Sequence, residues 1–119
     1  MPFEFTPSKV DSITVVNLKG TIVTGSDKEI LLSKMQELLE AGEANFILDL
    51  AQVTYVDSTG IGTLIEALFL AERKGGCVRL LHLTKRIHDV LQITRLSSVF
   101  GIYDDLQKAV DSLKGEGGG

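Results

Sequence analysis

The sequence predicts a single α/β domain with a mixed, mostly parallel central sheet, an N-terminal strand pair and about four helices. Short apolar runs rich in β-branched residues alternate with segments whose apolar residues recur at helical spacing. This alternation is typical of βα units, whose strands lie parallel in one sheet. The 119 residues suit one domain. We expect it to span residues 1–114, followed by a disordered glycine-rich tail at residues 115–119.

The first third of the chain predicts a strand pair followed by a helix. Residues 3–6 and 13–18 have the composition of strands, and Asp11-Ser12 between them is a turn signal, so we expect a hairpin or an edge pair. Gly20 is expected to end the second strand. Ser26-Asp27 has the character of a helix N-cap and Gly42 that of a C-cap glycine, which predicts a helix between them.

The dense apolar run at residues 45–50 predicts a buried central strand that continues toward Asp57. The elements predicted after it are a helix over 59–74, a strand over 77–83, a short helix capped by Thr84 and reaching about Ile93, a strand over 99–103, and a helix over 104–113.

The composition argues against several classes of function. A net charge of −4 disfavours nucleic acid as a partner. The basic residues of one stretch are sparse and predict a solvated helix face, with a docking patch for an acidic partner as the alternative; they are Lys85, Arg86, His88 and Arg95. No apolar run is long enough to predict a membrane span, and the N-terminus has no signal-peptide pattern. The lone Cys77 fits a reducing compartment, so a cytoplasmic protein is expected.

The predicted working surface is the strand-to-helix turn at residues 57–62, DSTGIG. It follows the carboxyl end of a strand, where α/β sheets usually carry their sites. Ser58 is expected to be the N-cap, while Gly60 and Gly62 let another backbone or a phosphate approach the helix amides. The helix dipole would favour a phosphate on a hydroxyl here and the Asp57 carboxylate would oppose it. An ordinary cap and tight turn is the alternative interpretation.

The order of these motifs resembles the STAS family, and in particular the bacterial anti-sigma factor antagonists. The matching motifs are VVNLKG at 15–20, FILDL at 46–50 and VTYVDSTGIG at 53–62, and the resemblance extends over about residues 5–112. It implies that Ser58 is the phosphoacceptor, that Asp57 positions its hydroxyl, and that Thr59 is a minor alternative acceptor. It also implies a non-enzymatic partner switch without cofactor.

The resemblance also implies two classes of protein partner. A serine kinase that is also the anti-sigma factor phosphorylates the antagonist, and a PP2C-type phosphatase removes the phosphate. The unphosphorylated antagonist binds the kinase and frees the sigma factor. The face toward the partner is expected to include Thr63, Glu66 and Arg73 on the helix, with Thr24 and Gly25 on the opposite loop. Whether the domain forms a homodimer is left open.

One departure from the family pattern concerns the end of the second strand. Residues 20–23 read GTIV, where antagonists of this group often have an acidic residue at the position of Val23. The next acid, Asp27, is expected inside the helix start. This departure leaves open that the chain serves another partner-switching pathway or a larger signalling assembly built from the same domain.

Other functions fit the sequence less well. A receiver domain could use Asp49 as its acceptor, but no acidic pair follows the first strands to hold Mg²⁺. A serine hydrolase could use Ser58 with His82 or His88, but only half of the Gly-x-Ser-x-Gly pattern is present. The glycines lack the spacing of a nucleotide site. Two distant histidines and one cysteine do not form a metal-ligand set, so no metal is expected.

Overall fold

The computed structural model describes residues 3–23, 25–95 and 100–118, with side chains as far as Lys114. In chain order the elements are β1 (Glu4–Val10), β2 (Ile13–Ile22), α1 (Ser26–Glu40), β3 (Asn45–Val56), α2 (Ser58–Arg73), β4 (Cys77–Leu81), α3 (Lys85–Ile93), β5 (Gly101–Tyr103) and α4 (Leu106–Gly118). These strands form one sheet in the order β1-β2-β3-β4-β5. Strand β1 runs antiparallel to β2, and the other neighbours are parallel. The predicted fold class is confirmed.

The N-terminal strand pair is confirmed, but its second strand is longer than predicted. Gly20 does not end β2, which continues to Ile22. Gly20 has φ 101°, and the register with β3 shifts between Gly20 and Thr21. A positive φ is accessible to glycine, so this residue forms an irregularity that bends the strand without ending it. As a result, Ile22 pairs with Val56 at the carboxyl end of β3.

The sheet carries a core on each face, as the dense apolar run at the start of β3 predicts. Phe46, Leu48 and Leu50 belong to the larger core, which α1, α2 and α3 cover. Ile47, on the opposite face, packs in a smaller core with Leu81 and three residues of α4. The three crossover helices therefore lie on one face, and each begins at the carboxyl edge of the parallel strands.

The outermost strand on one side of the sheet is β1. It contains Pro7, which lies opposite Val16 of β2. Proline has no backbone N–H to donate to a ladder and is therefore tolerated in edge strands but not in central ones.

The helix ends follow the sequence signals in most places. Thr84 caps α3 as predicted, because its Oγ1 accepts a hydrogen bond from the Ile87 N–H at 3.4 Å. Gly42 follows α1 with φ 101°. The N-cap of α1 is Gly25 and not Ser26, and no side-chain hydrogen bond accompanies it.

The last third of the chain differs from the prediction in its boundaries. Strand β4 ends at Leu81, since His82 has φ 57° and leaves the extended conformation. Of the predicted strand 99–103 the structure has 101–103, and Val99 lies outside the described residues. The backbone of α4 is helical to Gly118. Because no side chain is described after Lys114, disorder of residues 115–119 stays a prediction.

Candidate functional site

The turn between β3 and α2 is capped by Asp57, not by Ser58 as the sequence predicted. Asp57 has extended backbone angles, φ −90° and ψ −176°, and its Oδ1 accepts a hydrogen bond from the Gly60 N–H at 2.7 Å. A carboxylate on the last non-helical residue can reach the amide of the third helical residue. Asp57 thus takes the capping function, and Ser58 becomes the first residue of α2.

The Ser58 side chain is exposed as a consequence of this capping arrangement. Its hydroxyl makes no hydrogen bond within the part of the chain that the structure describes. The oxygen is therefore available to a second protein, and the adjacent helix N-terminus favours negative charge there. Thr59, the alternative acceptor, is half-buried.

Gly60 is buried and packs the turn against β2. A Cβ atom at this position would lie 2.0 Å from the carbonyl oxygen of Ile22 and 2.7 Å from Cγ1 of Val56. The absence of a side chain at Gly60 therefore allows the backbone of β2 to approach the turn. The prediction that Gly60 opens the helix amides to a phosphate is wrong, since its own N–H is already bonded to Asp57. Gly62, by contrast, has open space around it.

The carboxyl end of β2 borders the Ser58 turn. The Asp57 N–H donates to the Ile22 carbonyl at 3.4 Å, which joins the ends of β2 and β3. Gly25, predicted to lie near the partner, is exposed and has φ 102°. Thr24, predicted for the same surface, lies outside the described residues.

Asp27 lies in the first turn of α1 as predicted, but its side chain reaches back toward β2. Its Oδ2 accepts hydrogen bonds from the Val23 N–H and from the Thr21 hydroxyl, each at 3.3 Å. This contact of Asp27 was not expected from the sequence. The capping-box pattern does not predict this contact, because Asp27 is the second residue of α1 and the amide that it bonds lies two residues before the Gly25 N-cap.

The three residues predicted for the partner-facing side of α2 do not all lie on its exposed surface. Glu66 is exposed, and its carboxylate pairs with the Lys28 ammonium of α1 at 3.3 Å. Thr63 is fully buried and donates its hydroxyl proton to the Thr59 carbonyl at 2.9 Å. Thr63 therefore lies in the core, and its prediction as a partner-facing residue is wrong.

Arg73 is exposed but is the last residue of α2. At a rise of about 1.5 Å per residue it lies roughly 22 Å from Ser58, so the structure does not bring it to the turn. The helix face that continues from Ser58 carries Gly62, Ile65 and Phe69. The Phe69 side chain is 48% exposed.

The residues of the competing interpretations have other partners. Asp49 lies within β3 and accepts hydrogen bonds from the Ala51 N–H at 3.0 Å and from Nδ1 of His82 at 3.1 Å. His88 is bonded to Gln92 at 3.5 Å. The described contacts therefore include none between Ser58 and a histidine that could act as its base.

Within residues 3–23, 25–95 and 100–118 the structure has no group of three acidic, histidine or cysteine side chains arranged to hold a metal ion. None of the helices in these ranges is long and apolar enough to cross a membrane.

The fold and the turn define a small α/β domain that presents an exposed serine at a helix N-terminus. The family model of the STAS domain matches residues 5–109. The chain therefore belongs to the STAS domain family. Among its relatives is the anti-sigma-B factor antagonist of Bacillus subtilis (strain 168), 32% identical over 103 residues, which are 87% of this chain and 84% of that protein. Its relatives place the chain among the anti-sigma factor antagonists.

Solved structures share the fold at lower sequence identity. An anti-sigma factor antagonist from Mycobacterium paratuberculosis superposes with a TM-score of 0.82 at 17% identity, covering 95% of each chain. The phosphorylated form of the Bacillus cell fate determinant SpoIIAA has a TM-score of 0.70 at 20% identity, covering 92% of this chain and 98% of that one. The sheet and its crossover helices are thus the arrangement of anti-sigma factor antagonists.

Proposed function

We propose that this chain is an anti-sigma factor antagonist that exchanges partners according to the phosphorylation state of Ser58. The unphosphorylated form binds an anti-sigma factor that is also a serine kinase, and so releases the sigma factor. The kinase phosphorylates Ser58, and a PP2C-type phosphatase restores the binding form. The chain acts by binding in the cytoplasm, without a cofactor. The observation that carries this proposal is the exposed Ser58 hydroxyl, which has no hydrogen bond among the described residues.

A phosphate on Ser58 would change the charge of this surface but would have little effect on the backbone conformation of the turn. It adds a charge of about −1.5 to −2 beside Asp57. The helix dipole offsets part of the repulsion, by roughly 0.3–1 kcal/mol. The Gly60 N–H is already bonded to Asp57 at 2.7 Å, so the phosphate does not gain that donor. The expected effect is loss of a complementary partner surface while the fold remains intact.

The comparison with SpoIIAA supports the same function. That protein, which shares the fold, is described in a phosphorylated form. In the present chain Gly25, the N-cap of α1, and Glu66 of α2 are both exposed. We propose that they border the surface that the kinase contacts, together with Thr24.

Val23 favours a second candidate function, in which the same turn serves a different signalling assembly. A half-buried valine stands where antagonists often carry a carboxylate, and the nearest acid, Asp27, is bonded to the backbone. A kinase that needs an acidic contact there would recognise this chain poorly. The partner recovered with the native chain decides between the two candidates: a serine kinase supports the antagonist, and a multi-copy STAS assembly supports the alternative.

The experiment that tests the proposal combines co-purification from the native cell with intact mass spectrometry. Wild type is expected to carry a phosphoryl group on Ser58 in part of the population and to bind a serine kinase. Ser58→Ala should bind that kinase constitutively, and Ser58→Asp should bind it weakly. Thr59→Ala is the matched control and should be phosphorylated like wild type. If Ser58→Ala and Ser58→Asp both bind like wild type, Ser58 is not the switch.

A further inference from the structure

We propose that Asp27 is a positioning residue for the Ser58 turn, although it lies in another element. Its carboxylate holds the peptide group on which that turn rests. The effect of this contact on phosphorylation rests on the proposed function, whereas the contact itself can be tested without any kinase.

The link runs through one peptide group, between Ile22 and Val23. Its carbonyl oxygen accepts a hydrogen bond from the Asp57 N–H at 3.4 Å. Its N–H donates to Oδ2 of Asp27 at 3.3 Å. A peptide group is planar, so its C=O and N–H cannot rotate independently. Asp27 on one side therefore fixes the direction of the carbonyl that meets the turn on the other.

The same carbonyl is in close contact with the first turn of α2. A Cβ atom added to Gly60 would lie 2.0 Å from the Ile22 oxygen, so the two backbones touch without an intervening side chain. The Ile22 side chain is fully buried, which prevents the strand end from moving outward. A rotation of the peptide group would therefore displace the backbone of residues 57–60, and with it Ser58.

The Asp27 carboxylate is well suited to hold this peptide. The same Oδ2 also accepts a hydrogen bond from the Thr21 hydroxyl at 3.3 Å, so it is fixed by two donors from β2 and the residue after it. Both bonds are partly buried, and hydrogen bonds to a charged group are stronger than those between neutral groups. Among the described residues, the hydrogen-bond acceptor of the Val23 N–H is the Asp27 carboxylate.

Correct placement of Ser58 matters for phosphoryl transfer. In that step the Ser58 Oγ forms a bond to the γ-phosphorus of ATP held by the kinase. The bond from that phosphorus to the bridging oxygen breaks, ADP leaves, and the hydroxyl proton passes to a base of the kinase. Because a misplacement of about 1 Å can cost roughly 100-fold in rate, loosening the turn should lower kcat more than it raises KM.

The first test measures amide hydrogen exchange by NMR on the isolated chain. In Asp27→Ala the protection of the Val23 amide should fall about tenfold or more, and that of Asp57 should fall with it. The Leu48 amide in the centre of β3 reports global stability and should change less. Asp105→Ala is the matched control: it removes a carboxylate that bonds the Lys108 N–H at 3.0 Å at the start of α4, and should leave Val23 and Asp57 unchanged.

The second test measures phosphorylation of Ser58 by the kinase that co-purifies with the chain. Asp27→Ala should lower kcat about tenfold with KM within about twofold of wild type. Asp27→Asn retains an oxygen acceptor and should fall between wild type and Asp27→Ala in both tests. If Asp27→Ala does not fold, Asp27→Asn provides the test in its place.

The inference is overturned if the Asp57 amide keeps its protection relative to Leu48 when Asp27 is replaced. It is also overturned if kcat falls no further than in Asp105→Ala. If wild-type Ser58 is not phosphorylated at all, the proposed function fails, and the exchange of the Asp57 amide still decides whether Asp27 positions the turn.

Discussion

The carboxylate of Asp57 accepts a hydrogen bond from the Gly60 N–H at 2.7 Å and so closes the first turn of α2. This bond frees the intervening Ser58 from a structural function, since a helix needs one side-chain cap for this amide and Asp57 supplies it. The residue whose chemistry is proposed to change and the residue that holds the turn are therefore different. Changes to one should be separable from changes to the other.

Replacement of the cap should lower stability without removing the acceptor. Asp57→Ala is expected to reduce the free energy of unfolding by about 1 kcal/mol, because the Gly60 N–H loses its partner. Asp57→Asn retains a capping oxygen and should lose less, while Ser58→Ala should be nearly neutral. Urea denaturation measures all three. A loss in Ser58→Ala as large as in Asp57→Ala would show that Ser58 contributes to the cap.

The two glycines of the turn should respond in opposite directions to the same substitution. Gly60→Ala is expected to destabilise the domain by about 1–3 kcal/mol, because the new Cβ would lie 2.0 Å from the Ile22 carbonyl oxygen. Gly62→Ala has open space and lies within α2, so it should stabilise by about 0.5–1 kcal/mol. Thermal and urea unfolding of the pair provide the measurement. Equal effects at both positions would contradict the packing of Gly60 against β2.

Glu43 should contribute to stability only above acidic pH. A hydrogen bond from the Lys9 ammonium lowers the pKa of the Glu43 carboxyl. The unfolded chain has the higher pKa, near about 4.3, so the contribution is present above that pH and is lost as the pH falls through the folded-state value. Glu43→Gln should cost about 0.2–1 kcal/mol at neutral pH and nothing once wild-type Glu43 is protonated.

The measurement for Glu43 is the free energy of unfolding as a function of pH. Glu37→Gln, on the exposed face of α1, removes the same charge without this contact and serves as control. A constant difference between Glu43→Gln and wild type over the acidic range would rule out the Lys9 contact as its cause.

Two charges on α2 should differ in their effect on kinase association. Glu66 lies two turns from Ser58, about 12 Å along the helix, whereas Arg73 is roughly 22 Å away. The Debye length is about 10 Å at 0.1 M ionic strength, so Arg73 is largely screened from the acceptor surface. Glu66→Gln should change the association rate constant severalfold at low salt, and Arg73→Gln should leave it near wild type. Stopped-flow binding at two salt concentrations distinguishes these outcomes, and equal effects would contradict the proposed surface.

The mostly parallel sheet and its helices were predictable because their signals are local and repeated. The apolar run of β3, the helical spacing of α1 and α2 and the glycine after α1 all agree with one another. The boundary at Gly20 was not predictable from composition, since a glycine can end a strand or bend it, and only the pairing of β2 with β3 selects between these.

The exposed face of α2 was also not predictable from the spacing of its apolar residues. The apolar residues Ile61, Ile65 and Phe69 are spaced by four residues, a pattern that by itself predicts one shared core face. A step of four residues rotates about 40° beyond a full turn, so the series moves gradually out of the core. Phe69 is accordingly 48% exposed, while Thr63 is fully buried.

The cap and the Asp27 contact depend on three-dimensional details that the sequence leaves open. Asp57 and Ser58 are both good N-cap residues, and their order alone does not decide which one caps. The contact of Asp27 with Val23 requires the actual path of the chain between β2 and α1. The sequence identified the turn correctly, but not the residues that hold it.

Pro7 has a consequence for the association of one copy of the domain with another. An incoming strand that tried to extend the sheet at β1 would find one backbone donor missing, and charged side chains flank that position at Glu4 and Lys9. Pro7 and these two charges therefore disfavour pairing of β1 with an edge strand of another copy of the domain. The domain is therefore expected to tolerate a high local concentration without association through this edge.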